Sequence, residues 1–284
     1  MLTILESIEL STEYLRKKGI ESPRINAECL LASVLNCKRL DLYLAYDKPV
    51  KEDELDIYRN FIKRRANFEP LQYITGSVEF YGLNFKVNPS VLIPRPETEL
   101  LVETILAQCK SNDKMKILDI GSGSGNIAIS LAFHLPGSNI FATDTSNESL
   151  KVAIENSKLN SVEERIQFIH HDILKDSIKD LDEFDIVVSN PPYVSEKDYV
   201  TLQNEIIKFE PKIAVSDFDD GYKFYKAICS KSDQLLKKSG KLFFELSDGQ
   251  RNVVEKIMKE NNLNDIIVKK DYSGIERIIY GVKS

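Results

Sequence analysis

The stretch from Phe184 to Val194 reads F-D-I-V-V-S-N-P-P-Y-V. Pro191 and Pro192 each fix their own φ, lack an N–H, and push the preceding residue toward extended backbone. Asn190 and Pro191 are therefore held extended, with the Asn190 side-chain oxygen and the Pro191 carbonyl as acceptors and Tyr193 beside them. Two acceptors next to an aromatic face suit one kind of guest, a flat group bearing NH2: both of its protons are accepted and the ring of Tyr193 packs on its plane. The plainer reading is a proline turn that ends a strand, since Asn-Pro is a common turn signal.

A second constellation lies upstream. Leu118-Asp119-Ile120-Gly121-Ser122-Gly123-Ser124-Gly125 follows an apolar run and opens a helix, the position where open α/β sheets bind ligands. Glycines there let the backbone approach a ligand closely and adopt positive φ. Asn126 stands where the dinucleotide fingerprint G-x-G-x-x-G places its third glycine, which weakens an NAD reading, and no G-K-[ST] follows to make a P-loop. Asp144 comes 23 residues after Gly121, at the end of the next strand, where a carboxylate can accept from ribose hydroxyls. The acidic Asp119 beside the loop suggests a cationic ligand. Asp172 and Ile173 end a third strand, where the carboxylate can accept from the exocyclic amine of a purine and Ile173 can pack on its ring. A helix cap is the structural alternative at Asp172.

Strands and helices must hold these loops together. Ile186, Val187 and Val188 form the β-branched run expected of a strand buried on both faces. From Lys116 onward strand and helix patterns alternate: strands over Lys116–Ile120, Asn139–Thr143, Ile166–His170, Phe184–Val188 and Lys241–Leu246, then a terminal pair around Ile266–Val268 and Ile278–Tyr280. Helices are expected over Asn126–Phe133, Asn147–Lys158, Tyr222–Leu236 and Asn252–Lys259. This is the signature of a mostly parallel sheet covered by helices on both faces. Residues 1–70 look wholly helical, with apolar stripes at Ile4, Ile8 and Leu15, at Ala27, Leu30, Leu31 and Val34, and at Leu55, Tyr58, Phe61 and Ile62. Residues 71–90 read as a β-hairpin linker, and 91–284 as the site-bearing domain. Pro96, Glu97 and Glu99 mark a helix start.

Composition bounds the partners. A length of 284 residues, 42% hydrophobic and 29% charged, is ample for a buried core. A formal charge of −6 argues against a general nucleic-acid binder. Up to Pro70 twelve basic residues balance twelve acidic ones, which suits protein docking better than a grip on phosphates. Lys63-Arg64-Arg65 has the charge to touch RNA but reads better as a solvated helix end. No apolar run approaches a membrane span, and no signal peptide is evident. Cys29, Cys37, Cys109 and Cys229 lack C-x-x-C spacing, so no metal is expected and a reducing cytoplasm fits. The adjacent His170 and His171 point to opposite faces of a strand and read as structural.

L-D-I-G-S-G-S-G with Asp144 resembles the nucleotide-binding half of a class I S-adenosylmethionine (AdoMet) methyltransferase, and V-S-N-P-P-Y resembles the fourth-strand motif of enzymes that methylate planar nitrogen. With P-L-Q-Y-I-T-G (Pro70 to Gly76), L-I-P-R-P-E-T-E (Leu92 to Glu99) and D-Y-S-G-I-E-R (Asp271 to Arg277), nearly the whole chain is similar to the bacterial peptide chain release factor N5-glutamine methyltransferase (PrmC/HemK) family. The family usually has glycine near Ser247 and asparagine near Ile275. The resemblance implies a class I AdoMet-dependent methyltransferase fold, Rossmann-like α/β with a seven-stranded, mostly parallel sheet, together with a small all-helical N-terminal domain. It implies methyl transfer from AdoMet, leaving S-adenosylhomocysteine, to the glutamine amide of the Gly-Gly-Gln motif in class 1 release factors. Gly121, Ser122, Gly123, Ser124, Gly125, Asp144, Asp172, Ile173 and Asn190 would contact AdoMet, and Asn190, Pro191, Pro192 and Tyr193 would hold the glutamine. A cytoplasmic monomer that touches neither membrane nor nucleic acid directly is expected. The rival readings are a ribosomal-protein glutamine methyltransferase, a nucleic-acid amino-methyltransferase and a nucleotide-sensing module.

Overall fold

The computed structural model describes residues 2–110, 114–178 and 181–284. Its contacts divide the chain into two compact units, Met1–Ser77 with Gln203–Phe209, and Val78–Leu202 with Glu210–Ser284.

The first unit is helical: α1 (Ile4–Lys17), α2 (Pro23–Val34), α3 (Arg39–Tyr43), α4 (Glu52–Ala66) and α5 (Leu71–Thr75). Thr3 caps α1 reciprocally. Its hydroxyl accepts from the Glu6 N–H at 3.2 Å, while Glu6 Oε2 accepts from the Thr3 N–H at 2.8 Å. The expected stripes meet in one core that includes Ile8, Leu15, Leu30, Leu31, Leu55 and Tyr58.

Two expectations are corrected here. Tyr73 and Ile74, expected in a hairpin, lie in α5, because Pro70 stands at its N-cap and Gly76 ends it with a left-handed φ of 76°. Of Lys63-Arg64-Arg65, in the last turn of α4, Lys63 is solvated as expected but Arg65 is not. Arg65 is 4% exposed, its Nε donates to Asn26 Oδ1 at 2.6 Å and its Nη1 to the Glu69 carbonyl at 3.0 Å, and it forms an ion pair with Glu205. Arg64 pairs with Glu69. Arg65 is claimed by partners 39 and 140 residues away, Asn26 and Glu205, which local charge patterning does not reveal.

The second unit opens with a two-stranded hairpin, β1 (Ser77–Phe80) and β2 (Leu83–Lys86). Tyr81 and Gly82 turn it with φ of 50° and 73°, the two positive values a tight hairpin loop requires. After α6 (Pro96–Leu106) comes the predicted alternation: β3 (Lys116–Ile120), α7 (Asn126–His134), β4 (Asn139–Asp144), α8 (Asn147–Leu159), β5 (Ile166–His170) and β6 (Phe184–Ser189). Short helices α9 (Glu196–Tyr199), α10 (Asn204–Phe209) and α11 (Lys212–Val215) follow. Then α12 (Lys223–Leu235), β7 (Leu236–Glu245), α13 (Arg251–Glu260), β8 (Leu263–Lys270) and β9 (Glu276–Lys283) complete the chain.

The seven-stranded sheet has the order β5-β4-β3-β6-β7-β9-β8. The first five strands run parallel, and β9 is antiparallel to both β7 and β8. Ile186, Val187 and Val188 of the central β6 are fully buried, as their β-branched run predicts. The chain winds one way from β3 to β4 and the other way from β6 to β7, so the switch point lies between β3 and β6. Asp119 pairs with Val188 across that boundary, and Ser189 Oγ donates to the Ile120 carbonyl at 2.7 Å. The glycine-rich loop and the Asn-Pro-Pro-Tyr corner thus leave neighbouring strand ends.

Candidate active site

The glycine-rich loop is closed by the chain's own acceptors. The N–H groups of Gly121 and Ser122 each donate to the Thr143 carbonyl at 2.9 Å, and Gly125 N–H to the Ser122 carbonyl at 2.8 Å. Gly123 N–H donates to Asp144 Oδ2 at 2.9 Å. These amides are therefore not offered to a pyrophosphate, which disfavours a dinucleotide. A Cβ placed on Gly121 or Gly123 would meet nothing within 4 Å, so the outer side of the loop is open to a ligand. Gly125 does the opposite work: a Cβ there would lie 2.9 Å from Ile129 Cδ1 and 3.1 Å from Ala153 Cβ. It supplies the close packing for which a dinucleotide fold uses the later glycine that this chain replaces with Asn126. The hydroxyls of Ser122 and Ser124 are turned inward, and both residues are buried, so these serines can present only backbone to a guest. An open cradle whose amides are internally satisfied fits the AdoMet implied by the resemblance.

The carboxylates differ in what they can reach. Asp144, partly exposed at the end of β4, also accepts from Ser146 N–H at 2.9 Å. Its pKa is raised by burial, against the pull of the Ser146, Gly123 and Thr145 amides and the charge of His170. Asp119 is a correction. It does not border the ligand face but is wholly buried beneath the loop, with Oδ2 accepting from Ala128 N–H at 3.2 Å and Oδ1 without a partner. Burial pushes its pKa from 3.8 up to about 7, which the Ala128 N–H opposes and the charge of Asp144 reinforces. As pH rises from 3.8 to about 7, the folded chain keeps a proton that the unfolded chain releases, so this group's contribution to stability falls through that window. Asp119→Asn retains an acceptor for Ala128 and cannot ionise. It is expected to raise thermal stability by on the order of 3 kcal/mol at roughly pH 8 and to change it little at roughly pH 4. Calorimetry at both pH values checks this, and a destabilised variant at the higher pH contradicts it.

At the end of β5, Asp172 Oδ1 accepts from Leu174 N–H at 2.9 Å and Oδ2 pairs with Lys175 at 3.0 Å. No helix follows, so this is a turn rather than a helix cap, with the carboxylate already engaged. Ile173 is 4% exposed and packs in the core with Ile178 and Phe184.

The Asn-Pro-Pro-Tyr corner lies at the other side of the switch point. Asn190 and Tyr193 are partly exposed and Pro191 is buried. Asn190 Nδ2 donates to Thr98 Oγ1 at 3.2 Å. Among the described residues neither Asn190 Oδ1 nor the Pro191 carbonyl takes a donor from the protein, as the sequence leads one to expect. Tyr193 packs against the core around Phe244, and its hydroxyl donates to Glu245 Oε1 at 3.4 Å.

Several residues that hold this corner escape the sequence reading. Gln250 Nε2 donates to the Tyr193 carbonyl at 3.1 Å and the Gly221 carbonyl at 3.2 Å, while Gln250 Oε1 accepts from Tyr225 at 3.2 Å and from Ser247 N–H at 3.0 Å. Val194 N–H donates to the Val215 carbonyl at 3.1 Å. Arg95, between the two prolines of the I-P-R-P segment, pairs with the buried Glu210, and Glu210 Oε2 also accepts from Ile93 N–H at 3.3 Å. Thr98 follows that segment in the first turn of α6, so the segment's stiffness fixes a partner of Asn190.

The chain is 38% identical to the release factor glutamine methyltransferase of Fusobacterium nucleatum, over 99% of its own length and 79% of the relative's. It is equally similar, at 38%, to the protein of that name from Chlorobaculum tepidum, over 97% and 95% of the two chains. It belongs to the release factor glutamine methyltransferase family. Within it, residues 6–76 match the family model described as the PrmC N-terminal domain and residues 96–217 the one described as the methyltransferase small domain. Among solved structures, a methyltransferase from Pyrococcus furiosus superposes with a TM-score of 0.53 at 18% identity, over 72% of this chain and 91% of that one. The T. thermophilus 16S rRNA N2 G1207 methyltransferase does so at 0.51 and 17%, over 73% and 50%. These two likenesses establish the class I methyltransferase fold, and the sequence relatives establish the family. No helix among the described residues is long and apolar enough to cross a membrane.

Proposed function

We propose that this chain transfers the methyl group of AdoMet to the side-chain amide nitrogen of the glutamine in the Gly-Gly-Gln motif of class 1 peptide chain release factors, acting as a cytoplasmic monomer. The supporting observation is the pair of acceptors without protein donors, Asn190 Oδ1 and the Pro191 carbonyl, on the strand end beside the glycine-rich loop.

When bound, AdoMet supplies a methyl group on a sulfonium, a strong electrophile. The outer face of Gly121–Gly125 and the carboxylate of Asp144 would hold it, with Asp172, Ile173 and Asn190 as further contacts. A carboxamide nitrogen is a weak nucleophile because its lone pair is delocalised, so the protein's task is alignment. Asn190 Oδ1 and the Pro191 carbonyl accept the two amide protons and stabilise the positive charge that grows on nitrogen. Pro192 keeps the corner rigid, and the ring of Tyr193 covers the amide plane. A strong base is unnecessary, since an N-alkylated amide is acidic enough to lose its proton to water. Asparagine suits position 190 because a neutral acceptor does not lock the sulfonium in an ion pair. The helical unit, with Arg64 and Arg65 committed to internal partners, suits docking of a protein better than of RNA.

Mass spectrometry of a release-factor fragment after incubation with AdoMet tests the reading: a single methyl on the Gly-Gly-Gln glutamine supports it, and methyl transfer to nuclease-sensitive material instead rejects it. Because the ring face carries the contact, Tyr193→Phe is expected to lower kcat by less than about tenfold and Tyr193→Ala by about 100-fold. Equal losses in steady-state assays would transfer the role to the hydroxyl.

A further inference from the structure

One buried side chain grips the Asn-Pro-Pro-Tyr corner from behind. Gln250, the N-cap of α13, is 7% exposed, and every hydrogen-bonding position of its amide is filled. The two protons of Nε2 go to the carbonyls of Tyr193 at 3.1 Å and Gly221 at 3.2 Å. Oε1 takes the Ser247 N–H at 3.0 Å and the Tyr225 hydroxyl at 3.2 Å. All but Tyr225 are backbone groups, and a backbone carbonyl can only accept, as an N–H can only donate. The amide therefore has one possible orientation, whichever way the Tyr225 hydroxyl turns. The Tyr193 carbonyl and the Val194 N–H belong to one peptide plane, and the N–H end is held as well, by the Val215 carbonyl at 3.1 Å.

We propose that Gln250 is a positioning residue for methyl transfer: it locks the Tyr193–Val194 peptide plane and, through it, the direction in which the Pro191 carbonyl faces the substrate amide. This role rests on the function proposed above. Pro192 has a φ fixed by its ring, so few rotations separate the locked plane from the Pro191 carbonyl. A displaced plane turns that carbonyl and the ring of Tyr193 together. Small displacements are costly here, because the reaction depends on alignment and not on a strong base. No other side chain of this length replaces the amide. A glutamate keeps the acceptor for Ser247 but, once ionised, sets a charge against two carbonyl oxygens. A methionine fills the space and bonds to neither.

The D-Y-S-G-I-E-R segment, to which the mechanism gives no role, supports this residue from the far side. The Leu246 N–H, just before Ser247, donates to the Arg277 carbonyl at 2.7 Å. Arg251 Nη1, just after Gln250, donates to Glu276 Oε1 at 2.8 Å. Glu276 and Arg277, at the start of β9, thus brace both ends of the stretch 246–251 that carries the amide. Arg277 is held in turn by Asp271, whose Oδ2 accepts from its Nε at 3.0 Å. The segment reaches the corner through Gln250.

The test uses the full chain, AdoMet and a release-factor fragment. At about pH 8, Gln250→Glu is expected to lower kcat by about 10- to 100-fold, with KM for the fragment and AdoMet affinity by calorimetry within about threefold of the parent. At about pH 6 the introduced carboxyl, its pKa raised by burial beside two carbonyls, regains a proton and can donate again, so the ratio of parental to variant kcat should narrow by at least about threefold. A packing defect alone has no reason to follow pH in this way. Without ligands, the Val194 amide hydrogen should exchange at least about tenfold faster in the variant than in the parent at about pH 8. Parental kcat at the higher pH, a loss equal at both pH values, or unchanged Val194 exchange overturns the lock. Should Gln250→Glu not fold, Gln250→Met, which buries no charge, decides: lowered kcat with faster Val194 exchange upholds the lock, and a parental value of either overturns it. A parent chain that methylates no release factor overturns the proposed function instead, and the exchange measurement still decides the lock.

Discussion

Asn190→Ala is expected to lower kcat toward a release factor by about 100-fold or more, while affinity for AdoMet falls by less than about tenfold. The side chain supplies Oδ1, an acceptor that takes no protein donor among the described residues, and the second acceptor of the proposed pair, the Pro191 carbonyl, is backbone that the substitution leaves in place. With one acceptor gone, one amide proton of the substrate is left in contact with a methyl group, and nitrogen is no longer fixed in rotation about its C–N axis. Little of the loss should come from unfolding. The strand beneath is anchored by the fully buried Ile186, Val187 and Val188 and by the 2.7 Å bond from Ser189 to the Ile120 carbonyl. Single-turnover methylation separates chemistry from binding, and isothermal titration with AdoMet reports the second site independently. Turnover at the parental rate would remove Asn190 from the reaction.

Gly221→Ala is expected to cost about 10- to 100-fold in kcat although residue 221 carries no functional group. Its new Cβ would fall 2.8 Å from the carbonyl oxygen of Tyr193 and 3.3 Å from Gln250 Nε2, at a φ of +87° that disfavours any side chain. The carbonyl cannot retreat freely, because Gln250 holds it. The corner must therefore shift by several tenths of an ångström. Gly274→Ala is the control: φ there is +83°, yet nothing lies within 4 Å of its Cβ. Both variants should lose about 1–3 kcal/mol of stability from the backbone alone, measured by denaturant titration. Only Gly221→Ala should lose kcat beyond that, at a temperature where both are folded. Equal kinetics in the two would mean that the corner tolerates displacement.

Burial on both faces demands apolar runs, which made the central strands legible, so Lys116–Ile120 coincides with the observed β3; Ile166–His170 coincides with β5 although that edge strand is mostly not buried. The glycine-rich loop and Asn190–Tyr193 were legible because unusual backbone geometry demands glycine and proline. Their supports were not. Thr98 lies 92 residues before Asn190 and Glu245 lies 52 after Tyr193, and no local periodicity reports a contact at that separation. A faint signal existed: a carboxylate ending the apolar run Leu242-Phe243-Phe244 is out of place unless something buried needs it. Asp119 misled for the related reason that a charge next to a loop gives no indication of which side of the sheet end it occupies. Tyr73 and Ile74 misled because their strand propensity was overridden by the proline and glycine that bracket α5.

Residues 203–209 belong to the helical unit although the chain reaches them only after most of the sheet has been laid down. Arg65 is joined to Glu205 across a separation of 140 residues. During synthesis, which proceeds from the N-terminus, the helices that carry Arg65 leave the ribosome long before their carboxylate does. Until then a guanidinium destined for burial lacks its counter-charge, a state that is strongly disfavoured. A cut after Ser77 would therefore leave the unit without Gln203–Phe209 and Arg65 without its carboxylate. Completion of the unit waits until the Asn-Pro-Pro-Tyr segment has itself been translated, because Glu205 follows that segment in the chain.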